Sequence, residues 1–282
     1  MLQTLWQLLW PLLFVVLLWW LTTVVMLYRT GLPERTYLGT MLAATLLALL
    51  SVLALVHAAA SNTVMAALQS FTAGVLLWGW HEVSYYTGLI TGPRAQACPD
   101  DCSAGQRFRY GLLASLWHEL AIVATAALLL ALTWGQVNQL GSWTFVILWL
   151  MRWSTKLNIF LGVPNLHEEF WPEHLRYLSS YVSNKPMNLL FPLSVTLATL
   201  LTAVFMVLAW QARSDDFVAT QAMLLATISL LGLLEHWLLV LPLSDSRLWQ
   251  WGYAAHERRM ASRLSRETAA DHRLSAAGSK AA

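Results

Sequence analysis

Three short units hold the groups most able to do chemistry: Trp80-His81-Glu82, Trp117-His118-Glu119 and, in reverse order, Glu235-His236-Trp237. Each sets a carboxylate beside an imidazole inside a long apolar stretch. An ionised side chain there costs about 2.5–3.5 kcal/mol on insertion scales, so each needs a reason. Carboxylates and imidazoles converging from several helices can hold a divalent or di-iron centre. The candidate ligands are Glu82, Glu119 and Glu235, with Glu168, Glu169 and His174 from a later loop. The spacing differs from the Glu-x-x-His motif of that class, because adjacent side chains diverge by about 100° around a helix. A histidine can instead ligate the magnesium of a chlorin or the iron of a haem while tryptophan stacks on the ring. That makes His81, Glu82, His118, Glu119, Glu235 and His236 a candidate cofactor site. The third chemistry is an ion-pair network. Arg152 and Lys156, four apart on one helix face, would balance two glutamates and leave the third protonated or hydrogen-bonded to a histidine. A substrate or proton path would use the same groups.

The elements that position these residues follow from composition. The chain has 282 residues, 57% hydrophobic and only 11% charged, with 16 tryptophans; about 25% charged is usual in a soluble protein, which excludes that class. Seven segments reach the roughly 20 apolar residues that a bilayer requires: 5–27, 37–59, 65–89, 109–132, 141–160, 189–210 and 217–241. The expected fold is all-α, a polytopic integral membrane bundle of seven transmembrane helices with a cytoplasmic interfacial helix and tail. The first segment has no basic residue before it and no small-residue cleavage site after it, so it is expected to remain as a helix. With seven spans, 16 basic residues fall on or toward one side and only Arg213 on the other. The positive-inside rule then puts the N-terminus outside and the C-terminus in the cytoplasm, with all three glutamates in the cytoplasmic half.

Residues 1–243 form the expected transmembrane domain and 244–282 a cytoplasmic tail, amphipathic along the inner membrane surface and then disordered. The loop 162–186 carries His167, Glu168, Glu169, Glu173 and His174, with an interfacial helix expected from Pro172. Folded upward, it would close the inner mouth of a polar cavity between the third, fourth and seventh helices. His57 reads as interfacial, and His256 and His272 as solvated. Cys98 and Cys102 form a C-x-x-x-C in a cytoplasmic loop, where thiols are expected free, and two thiols do not complete a zinc site. No phosphate-binding loop, dinucleotide fingerprint or nucleophile elbow occurs. The seventh segment has no lysine for a retinal Schiff base, and nothing indicates a nucleic-acid partner.

The stretch Ser154 to Asn165 (STKLNIFLGVPN), Glu168 to Leu178 (EEFWPEHLRYL) and Met187 to Pro192 (MNLLFP), together with His81-Glu82, Thr91-Gly92-Pro93 and His118-Glu119, resembles the PuhE-type photosynthetic complex assembly proteins of phototrophic bacteria. The likeness covers nearly the whole chain up to about Arg258. It implies a bacterial inner-membrane factor that helps build the reaction centre and light-harvesting complexes, with their subunits as partners, or that modulates bacteriochlorophyll supply to them. It supplies no mechanism. On this expectation the polar residues hold a bacteriochlorophyll-type pigment or a metal, lidded by Glu168, Glu169 and His174. Asn158 and Asn165 shape the lid, and Arg152 and Lys156 balance charge. The rivals are an integral-membrane metalloenzyme acting on a tetrapyrrole or carotenoid, and a structural scaffold with no ligand; an enzyme is the less favoured reading.

Overall fold

A computed structural model describes residues 2–165 and 172–241. Among them the chain is all-helical, apart from one isolated parallel bridge between Val163 and Asn184. The α-helices are α1 (Leu2–Thr30), α2 (Tyr37–Ala59), α3 (Val64–Tyr86), α4 (Ala104–Ala114), α5 (Leu116–Thr133), α6 (Leu140–Leu161), α7 (Leu190–Gln211) and α8 (Asp216–Leu238). A 3-10 turn, Glu34–Thr36, precedes α2, and a 3-10 helix, Glu173–Tyr181, lies between α6 and α7. The helix expected from Pro172 is thus a 3-10 helix, with Pro172 just before its first residue.

Among the described residues five stretches are long and apolar enough to cross a membrane: Leu9–Thr30, Glu34–Ala59, Leu116–Thr133, Leu190–Gln211 and Asp216–Leu238. The helices α3 and α6 match them in length, at 23 and 22 residues, but are less apolar overall. Their position explains the difference. One apolar core joins α1, α3, α6 and α8 through Val15, Phe71, Ile147 and Leu224. A second joins α2, α3, α5 and α6 through Leu55, Leu77, Ile122 and Phe145. Both cores include α3 and α6, so these two helices face protein on most sides and can hold polar side chains that have partners. By contrast α2 and α7 turn rows of leucine outward, including Leu42, Leu46, Leu53, Leu193, Leu197 and Leu200, an apolar surface suited to lipid.

The central pair crosses at very close range. A Cβ on Gly74 would lie 2.4 Å from the Gly141 carbonyl oxygen, and one on Gly141 would lie 2.4 Å from that of Ser70. The Gly141 N–H donates to Ser70 Oγ at 2.9 Å. Small residues that let backbones approach are how membrane helices associate, since lipid gives no hydrophobic drive between them. Gly141→Ala is therefore expected to destabilise the fold by about 1–3 kcal/mol through overpacking, seen as a lower midpoint of thermal unfolding in detergent.

The expected fourth span, 109–132, is corrected: it breaks at Ser115 into α4 and α5. The Thr91-Gly92 segment is inserted at the break. The Thr91 carbonyl accepts the His118 N–H at 2.9 Å, and a Cβ on Gly92 would lie 2.0 Å from the Leu113 carbonyl oxygen. A capping box of Ser103 and Gln106 starts α4. The cysteine expectation is corrected as well. Cys98 and Cys102 are joined in a disulfide, brought together by a turn in which the Cys102 N–H donates to the Pro99 carbonyl.

Candidate functional site

Glu82 near the end of α3, Glu119 in the first turn of α5, Arg152 and Lys156 on α6 and Glu235 near the end of α8 all lie at the same end of the bundle. Arg152 Nη2 lies 3.1 Å from Glu82 Oε2 and donates to the Tyr86 hydroxyl at 3.2 Å. Lys156 Nζ lies 2.5 Å from Glu119 Oε1. The other oxygen of Glu119 accepts the indole N–H of Trp153 at 2.6 Å and of Trp149 at 3.3 Å. Residues 149, 153 and 156 recur at helical spacing on one face of α6, so that face supplies Glu119 with all three donors. Sequence reasoning passed over both tryptophans, although this spacing was the signal that could have found them. Glu235 forms no ion pair among the described residues and sits in the field of Arg152 and Glu82.

The three histidines are each 1% exposed. His236 is fully engaged: Nδ1 donates to the Gly232 carbonyl at 2.7 Å, and Nε2 lies 2.8 Å from Ser154 Oγ. A carbonyl only accepts, so the proton sits on Nδ1, and a neutral ring then accepts from the serine hydroxyl. His81 Nε2 meets Thr125 Oγ1 at 3.0 Å. The His118 ring packs 4.6 Å from that of Tyr85 and 6.2 Å from that of His81. Nδ1 of His81 and of His118 has no hydrogen-bond partner among the described residues. With all three rings enclosed by protein, a macrocycle could reach them only if the helices parted. Among the described residues no three His, Cys, Asp or Glu side chains come together as a metal-ligand set.

The expected lid divides into parts. Glu168 and Glu169, with His167, lie outside the described residues. Glu173 is exposed. His174 packs beside Gly88, where an added Cβ would lie 3.0 Å from the ring, and meets Tyr37 edge-on at 6.2 Å. The 3-10 helix is fastened to the 91–103 loop: Arg94 Nε donates to the Tyr181 hydroxyl, which donates to the Gln96 carbonyl, and Ser180 Oγ accepts the Cys98 N–H. Burial, with Tyr181 as a neighbour, pushes the Tyr177 phenol above its ordinary pKa.

The asparagines of the Ser154 to Asn165 stretch tie helix ends. Asn165 Nδ2 donates to the Leu238 carbonyl in the last turn of α8 and to the Leu241 carbonyl just after it, groups that a helix end leaves without partners. Asn158 donates to the Ser154 carbonyl and to Ser194 Oγ on α7. Asn188 was missed. Its Nδ2 donates to the Asn158 and Gly162 carbonyls at the end of α6, and its Oδ1 accepts the Leu190 and Phe191 N–H groups that open α7. An asparagine directly before an apolar run was the available signal.

Beside the Lys156–Glu119 pair is a cavity of about 190 Å3 between the end of α3, α4, α6 and the 3-10 helix. Its polar wall includes Tyr85, Tyr86, Glu119, Arg152 and Lys156, and its apolar wall Phe108, Leu157 and Phe160. The arrangement holds charges in place. Each of the two carboxylates that meet cations has at least one oxygen engaged, Glu82 with Arg152 and Glu119 with Lys156 and two indoles.

No solved structure matches the chain. It is 34% identical, over 240 residues spanning 84% of this chain and 87% of the relative, to an uncharacterized 30.4 kDa protein in the puhA 5' region of Rhodobacter capsulatus. The model of the family described as a protein of unknown function, DUF3623, matches residues 5–260, and the chain belongs to that family.

Proposed function

We propose that the protein is a membrane-embedded assembly factor for bacterial photosynthetic complexes, a non-catalytic scaffold whose polar layer locks its helices together. The observation that carries this reading is the relative's place in the puhA 5' region, joined to the likeness to photosynthetic complex assembly proteins. The geometry supports a scaffold over an enzyme: Glu82 and Glu119 are held by Arg152 and Lys156, and His236 is satisfied within the bundle. Seven spans follow if α3 and α6 cross with the five more apolar helices, as their central packing favours. The polar layer then faces the cytoplasm of the inner membrane and the N-terminus faces the periplasm.

The test is chromosomal deletion in the organism that carries the chain, followed by near-infrared absorption of its membranes. The expected result is a several-fold loss of reaction-centre and light-harvesting bands, restored by the wild-type chain supplied in trans. Unchanged bands would overturn the assembly role. Stoichiometric iron or a far-red chlorin band in the protein purified in mild detergent would replace the scaffold with the metalloenzyme or with pigment carriage.

A further inference from the structure

We propose that the cavity beside Lys156 is a seat for an acidic phospholipid, with the phosphate at the basic wall and part of one acyl chain against the apolar wall. Donor counting comes first. Arg152 and Lys156 each spend one face on a glutamate, yet 30% and 28% of their side chains stay open, and both line the cavity. Nε of Arg152 in this wall has no hydrogen-bond partner among the described residues, and neither has Nε of Arg107, which lies outside the lining but stacks on the lining residue Phe160. Guanidinium and ammonium groups donate only, so they cannot satisfy one another, and what completes this wall is an acceptor.

Charge points the same way. The two ion pairs take up Glu82 and Glu119, while Arg94, Arg107 and Arg109 have no carboxylate partner among the described residues. Arg107 stacks over Phe160 at 5.2 Å and Arg94 over Tyr110 at 4.1 Å. Asp100 and Asp101, in the loop before α4, offset part of this charge; the surplus that remains is positive, with Arg107 on Phe160 of the cavity wall, which favours an anion.

The rest of the site selects a lipid anion. Phe108, Leu112, Leu157, Phe160 and Leu178 line the cavity. On α4, Phe108 and Leu112 are 40% and 36% exposed beside Arg107 and Arg109, the make-up of a helix at headgroup depth that favours anionic lipid. A cavity of about 190 Å3 falls below the roughly 300–1,000 Å3 of sites for drug-sized ligands. It suits a stretch of acyl chain better than a whole macrocycle. This seat goes beyond the assembly role and stands whether or not that role holds.

The experiment uses the full chain, purified and delipidated in a neutral detergent, with its thermal unfolding followed in the presence of three probes. Phosphatidylglycerol is expected to raise the midpoint by several degrees, while phosphatidylcholine and inorganic phosphate leave it unchanged. Gly111 lines the cavity, and a Cβ there would make only ordinary contact, 3.7 Å from Tyr181. Gly111→Leu therefore fills the space and is expected to abolish the rise; Arg107→Gln, on exposed α4, is expected to weaken it. An equal rise with phosphatidylcholine, a rise with inorganic phosphate alone, or a full response in folded Gly111→Leu would each overturn the proposal. If Gly111→Leu fails to fold, a full response in Arg107→Gln overturns it instead.

Discussion

Glu119→Ala is expected to destabilise the protein by about 3–5 kcal/mol, the range for breaking a buried ion pair by removing one partner. The Glu119 side chain is 12% exposed and its cation 28%, so solvent screens the pair little. The loss extends past Lys156, because the indole N–H groups of Trp149 and Trp153 also end on this carboxylate. Removing it leaves an ammonium and two indoles without their acceptor on the central helix. Lys156→Met leaves the carboxylate two indole donors and should cost less. The double variant should cost clearly less than the sum of the singles, because it leaves no uncompensated charge. Thermal unfolding of the four proteins in one detergent measures the cycle; simple additivity would show that the pair does not hold α5 to α6.

The second large effect is expected at the opposite end of the bundle. Asn138, fully buried, donates to the Ala58 and Ala66 carbonyls of α2 and α3, and its Oδ1 accepts the Leu140 N–H and the Gln221 amide. Its backbone N–H donates to the Ala59 carbonyl. One side chain thus ties α2, α3, α6 and α8. Asn138→Leu keeps the branched four-atom skeleton and removes every side-chain bond. It is expected to cost about 3 kcal/mol or more, since each buried polar group left unpaired costs about 1–3 kcal/mol. Val137→Ala, at an exposed neighbour, should stay within about 0.5 kcal/mol. Equal midpoints for the two variants would show that Asn138 ties nothing together.

The helices were legible because hydropathy is local: a segment such as 37–59 is apolar whatever surrounds it, and it forms α2 with those bounds. The polar layer was legible for the converse reason, since Glu82, Glu119 and Glu235 stand out in a chain so poor in charge. Even the pairing potential of Arg152 and Lys156 could be read from their four-residue spacing. The break between α4 and α5 could not, because what opens it is the Thr91 carbonyl, 27 positions from the His118 N–H it receives. Asn138, four residues beyond Trp134 in a short connection, carried no mark of a residue that would meet four helices.

Sequence alone determined that this chain is helical, built for a bilayer, and obliged to find partners for three glutamates. Those conclusions rest on the transfer cost of each residue, a property it carries everywhere. Tertiary structure decided which partners Glu82 and Glu119 found. Glu119 took the lysine and two indoles because α5 packs on the α6 face that bears them. His236 was satisfied by Gly232 one turn earlier and by Ser154 across the α6–α8 contact. Asn158 and Asn165, expected at a lid, became ties between helix ends. Hydrogen bonds and ion pairs act over about 3 Å, so their assignment waits on which helix faces meet, and helix packing alone sets that.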